Sequence, residues 1–169
     1  LNAAGARDAP PAAAVTARRR PLPVALAVLL VAVAASAGFL LSDRGPTAAE
    51  EAHTRYVQSV QRVLTPFVQA RESGREAFAG AGTQAEQRGA TEALATTYHQ
   101  LDDRLAAIDP PAADAARHAH ITDLVEAAKT QYLAMGDAAS ANDGAKYSAA
   151  AAKVGAAETD LSRQVAALR

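Results

Sequence analysis

The amino-acid sequence predicts an all-α protein: one N-terminal transmembrane helix followed by an extracytoplasmic up-down-up-down four-helix bundle. Three observations predict it. A run of twenty uncharged residues occupies positions 22–41. Beyond it, apolar residues recur at three- and four-residue spacing in four separate stretches, the period of a helix face. Clusters of Gly, Pro, Asp and Asn separate those stretches, and none of them sustains the alternation of a half-buried strand.

The uncharged run lies within RRRPLPVALAVLLVAVAASAGFLLSDRG, residues 18–45. Twenty helical residues reach about 30 Å, the thickness of a bilayer hydrocarbon core. Pro21 and Pro23 stand at its start, where the first helical amides lack intrahelical partners anyway. Arg18, Arg19 and Arg20 precede the run, so the positive-inside rule puts the N-terminus in the cytoplasm. The expected organisation is a disordered cytoplasmic tail over 1–20, a transmembrane signal anchor over 21–41, a linker over 42–46 and the bundle over 47–169. The rival is cleavage after Ala35-Ser36-Ala37, which fits a small-residue processing site and would release a secreted helical protein. The run is longer than the usual 7–15 residues of a signal core, which favours the retained anchor.

Four helices follow the break at 42–46. Thr47-Ala-Ala-Glu50 is a capping box, and Tyr56, Val60, Val63, Phe67, Ala70, Gly74 and Phe78 continue one face. Pro66 falls inside this first segment and removes one hydrogen bond, so a kink is expected there. Thr83-Gln-Ala-Glu86 is a second capping box, followed by Ala90, Leu94, Tyr98, Leu101, Leu105 and Ile108. Asp109-Pro110-Pro111 separates it from a third stripe of Ile121, Leu124, Val125, Ala128, Tyr132 and Met135. After the turn at 140–144, Tyr147, Val154, Leu161 and Leu168 fall seven residues apart, interleaved with Ala150, Ala157 and Val165. That ladder fits a core seam, with a partner-docking stripe as the alternative.

Composition narrows the chemistry. The absence of cysteine excludes disulfides, zinc thiolate sites, iron–sulfur clusters and a lipidated cysteine. Beyond residue 41 there are 13 basic and 17 acidic residues, a net charge of −4, which argues against nucleic-acid binding. Glu50 and His53 have the i,i+3 spacing of di-iron bundles, but no second such pair exists, so Glu50 is expected to cap and His53 to lie at the surface. His118 and His120 point about 200° apart on a helix and cannot share a metal. Asp114 with His118, and His99 with Asp103, are expected as solvated i,i+4 pairs. A metal site between His99 and His118, on neighbouring helices, is the less favoured alternative. Met135 reads as core filler rather than a haem ligand. No cofactor, metal or catalytic set is expected. Tyr56, Tyr98, Tyr132 and Tyr147 lie on four helices at core-facing phases, where they would line a ligand cavity or bury their rings against polar partners.

The stretch LDDRLAAIDPPAADAARHAHITDLVEAAKTQYLAMGDAASANDGAKYSAAAAKV resembles actinobacterial membrane-anchored exported helical-bundle proteins of unknown function, a resemblance extending over residues 94–168. It carries over no catalytic residue. The bundle is also similar to the outer ligand-binding domains of chemoreceptors and sensor kinases. The expectation is therefore a membrane-anchored interaction protein, an accessory subunit of a larger membrane complex, in contact with the bilayer through residues 22–41 and with an unidentified protein partner. A small-ligand-binding or sensor-like module is the alternative.

Overall fold

A computed structural model describes residues 45–168, which form four α-helices and, among the described residues, no strand. They are α1 (Ala48–Gly80), α2 (Gln84–Ala106), α3 (Ala115–Ser140) and α4 (Gly144–Ala166). The expected tail, transmembrane span and first residues of the linker lie outside the described residues. Within them, no helix is long and apolar enough to cross a membrane.

The helix ends follow from local chemistry. Thr47 and Thr83 accept from the amides of Glu50 and Glu86, whose carboxylates return to the cap amides at 2.7 and 2.9 Å. Those backbone bonds hold both carboxyls below the usual glutamate value. The α3–α4 turn is a Schellman closure. The Asp143 amide bonds the Ala138 carbonyl and the Asn142 amide bonds that of Ala139. Asn142 takes the left-handed conformation this requires (φ 52°). Asp143 then caps α4 through the Lys146 amide at 3.0 Å. The start of α3 departs from this pattern: Asp114 stands at the cap position, yet its side chain makes no capping bond. α1 continues through Pro66, whose missing amide leaves the Arg62 carbonyl without its helical donor.

Successive helices pack side by side, α1 on α2, α2 on α3 and α3 on α4. They alternate in direction: Thr91, early in α2, meets Gly136, late in α3, and Arg117, early in α3, donates to the Ala167 carbonyl at the end of α4. No Cα of α1 comes within 8 Å of one in α4. The core is the set of stripes read from the sequence: Tyr56, Val60 and Phe67, then Leu94, Tyr98, Leu101 and Leu105, then Ile121, Val125, Tyr132 and Met135, then Val154, Leu161 and Leu168. The first stripe is shorter than expected, because Ala70 is exposed. Leu161 is 4 % exposed, so the seven-residue ladder of α4 is a core seam. Small residues set the closest approaches. A Cβ on Gly136 would lie 2.6 Å from Thr91 Oγ1, and one on Gly74 2.7 Å from Leu94 Cδ2.

Two stability measurements test this packing. Gly136→Ala is expected to destabilise the domain by about 1–3 kcal/mol, because Thr91 is buried and cannot retreat. Gly89→Ala, where an added Cβ meets nothing within 4 Å, should stabilise it by up to about 1 kcal/mol through helix propensity. Thermal unfolding of the two variants should therefore shift in opposite directions. Leu161→Ala should cost about 2–5 kcal/mol in denaturant unfolding; an unchanged midpoint would contradict a buried seam.

Candidate functional site: a buried ionic hub and an arginine-lined groove

Two polar arrangements stand out against the apolar interior. The first sits where all four helices meet. Glu158 of α4 is 7 % exposed, one turn from both Val154 and Leu161, so its carboxylate faces the core. The Tyr98 hydroxyl of α2 donates to Glu158 Oε1 at 2.7 Å, and that of Tyr132 of α3 donates to the same oxygen at 2.9 Å. Arg75 of α1 closes the set, its Nη2 lying 3.1 Å from Glu158 Oε2. The aromatic rings extend the assembly. Tyr98 is 5.5 Å from Tyr132 and makes an edge contact with Phe67 at 5.0 Å. Arg71 lies over the Phe67 ring at 5.8 Å, and its buried Nε has no hydrogen-bond partner. Burial, and next the Glu158 charge, raise the pKa values of Tyr98 and Tyr132 well above the ordinary phenol value of 10.0.

The second arrangement fastens the start of α1 to the start of α3. His53 Nδ1–H donates to Asp114 Oδ2 at 2.9 Å, and the Tyr56 hydroxyl shares a 3.2 Å hydrogen bond with His118 Nδ1. The Tyr56 ring meets the His118 ring edge-on at 5.8 Å. Beside this fastening, between the first half of α1 and the end of α2, lies a groove of about 680 Å³. α1 contributes Arg55, Tyr56, Ser59 and Arg62, α2 contributes Arg104, and the turn contributes Ile108 to Pro111. Ala52 and Ala107 are its smallest lining side chains. Among the described residues, Arg55, Arg62 and Arg104 take part in no ion pair.

Several expectations are corrected. Asp114 does not pair with His118; its carboxylate crosses to His53 instead of capping its own helix. His118 is not a solvated surface residue but is buried, turned toward Tyr56. His99 stays exposed, 3.8 Å from Asp103, as a solvated pair. His120 is exposed as well, Glu50 is used by its capping box, and Met135 is buried. Among the described residues there is no group of three or more His, Asp or Glu able to hold a metal ion. The four tyrosines separate. Tyr98 and Tyr132 meet at the hub, Tyr56 lines the groove, and Tyr147 is half-buried elsewhere against the core.

Sequence reasoning missed Glu158, Arg71 and Arg75, together with the groove arginines. The signals were present. Glu158 occupies a core phase of the α4 ladder, and Arg55, Ser59 and Arg62 recur at i, i+4 and i+7 on the face that carries Tyr56 and Val63. With fold and sites in view, the class is an all-α four-helix domain. No protein-family model, no curated protein and no solved structure matches the chain.

The hub makes a pH prediction. Tyr98 and Tyr132 have folded-state pKa values raised above the unfolded value. Their neutral, buried form therefore contributes stability that is complete below pH 10.0 and lost as pH rises through the folded values. In an ultraviolet titration these two phenols should ionise only together with loss of the helical circular-dichroism signal. Tyrosinate forming at all four positions in a domain that stays helical would contradict the hub.

Proposed function

We propose that this chain is a membrane-held recognition module, with residues 22–41 retained as the anchor and the four-helix domain presented outside the cytoplasm. The observation that carries recognition is the arginine-lined groove between α1 and the end of α2. A cleft of this volume falls within the roughly 300–1,000 Å³ typical of ligand sites. Its unpaired guanidinium groups offer planar donor forks to a partner's oxygens. The long uncharged run after three arginines supports the anchor and its orientation. In this reading the hub is architectural. It holds the helices in register, while the groove does the binding, alone or within a larger membrane complex.

A photo-crosslinking amino acid at Ser59, inside the groove, tests the reading in cells producing the full chain. An adduct is expected from position 59 and not from Lys153, which is exposed on α4. Equal labelling at both positions, or none at 59, would remove the groove as a recognition surface. N-terminal sequencing of membrane-extracted material should give a chain that retains residues 22–41. A soluble mature chain beginning at Gly38 would select the secreted form instead.

A further inference from the structure

The geometry points to a small organic dianion with an apolar body as the occupant of the arginine-lined groove. The inference rests on the groove being the recognition surface, and it follows from charge, spacing and the character of the walls. Three guanidinium groups line the cleft, from Arg55 and Arg62 on α1 and Arg104 on α2. Elsewhere on the surface Arg88 reaches Glu92 at 2.7 Å and Arg163 reaches Asp160 at 2.8 Å, whereas no carboxylate of the described residues pairs with the three groove arginines. One acid, Asp109, also lines the groove, which leaves a balance of two positive charges. The complement of that balance is a dianion.

Spacing gives the occupant its length. Arg55 and Arg62 are seven residues apart on one face of α1, a rise of about 10 Å. Arg104 stands on the other helix. Two arginines this far apart meet on a single-centred ion only by folding both side chains toward one point. An elongated molecule with an anionic group at each end engages both. Tyr56 and Ser59 line the groove between the two α1 arginines, and Ala52, Val63, Ile108, Pro110 and Pro111 give the rest of it apolar walls. An inorganic anion leaves those walls wet, whereas a hydrocarbon stem covers them. Arginine suits the ends, because its weakly hydrated planar fork binds carboxylate or phosphate oxygens in pairs.

The test uses the full chain in nonionic detergent micelles and isothermal titration calorimetry, with heats of each probe into empty micelles subtracted. The probes are suberate, which carries a carboxylate at each end of an aliphatic stem, octanoate, which has one, and sulfate, which has charge but no stem. Suberate is expected to bind at least roughly tenfold more tightly than either control, the difference expected for losing charge-assisted hydrogen bonds. The double variant Arg55→Gln/Arg62→Gln should weaken suberate by a similar factor. Arg163→Gln should leave it unchanged, with circular dichroism verifying that each variant is folded. Suberate binding no better than octanoate or sulfate, or binding indifferent to the double variant, would overturn the dianion. An adduct at position 59 without suberate binding would likewise overturn the dianion and leave the recognition reading standing. No adduct at position 59 would remove both.

Discussion

Glu158 is the constraint on which the arrangement of the four helices depends. A carboxylate removed from water costs several kcal/mol unless its oxygens are partnered. Here Oε1 receives two phenols and Oε2 an arginine, each from a different helix. A core this rich in alanine has few large side chains to interlock, so apolar packing alone distinguishes poorly between one helix register and the next. The hub supplies that distinction. Sliding any helix by one turn, about 5.4 Å, carries its donor away from Glu158 and leaves a buried polar group alone. The rings of Phe67, Tyr98 and Tyr132, in edge and tilted contact, put apolar area beside the charge, so a buried carboxylate lies where large side chains gather.

α1 is attached differently from the other three helices. α2 and α3 come close enough at Thr91 and Gly136 to exclude even a methyl group, whereas the α1 and α4 backbones remain apart. Besides the packing of Tyr56, Val60 and Phe67 in the core and the close approach to α2 at Gly74, α1 is held by a series of polar side-chain bonds reaching across to its neighbours. His53 meets Asp114, Tyr56 meets His118, and Arg75 meets Glu158. The groove follows from this geometry. Where α1 bears arginine and alanine instead of large apolar residues, it leaves the end of α2 uncovered, and the cleft opens at that place.

Helix positions, the turns and most of the buried stripes were legible in the sequence because each rests on short-range chemistry. Thr47 and Thr83 with their glutamates, the Pro-Pro turn and the period of Leu94, Tyr98, Leu101 and Leu105 need no knowledge of neighbours. The partners of polar residues were not legible, since they are chosen by helices far away in the chain. Asp114 looked like a match for His118 four residues on, yet the fold brings His53 within 2.9 Å. Glu158 received no role from the sequence at all. Its phase between Val154 and Leu161 was the sign that it faced inward, and the two core tyrosines were its missing counterpart. The groove was invisible for a related reason: a cavity is what side chains fail to fill, and its lining joins residues 52–63 of α1 to residues 104–111, far away in the chain.

The two polar arrangements occupy opposite halves of α1, and Pro66 stands between them. The first half carries His53, Arg55, Tyr56 and Arg62; the second carries Phe67, Arg71 and Arg75. At the junction the Arg62 carbonyl lacks the donor that any residue other than proline would supply at position 66. The helix is therefore one hydrogen bond short at the point where the last groove arginine gives way to the first hub aromatic. A displacement of the first half that accommodates an occupant is taken up most easily at this turn, because bending there strains fewer backbone bonds than bending elsewhere in α1. The hub requires the opposite, since Glu158 tolerates no retreat of Arg75 without exposing an unpaired charge. If the groove binds as proposed, a proline between it and the hub would let one long helix serve both, with register fixed on the hub side of the junction and adjustment confined to the groove side.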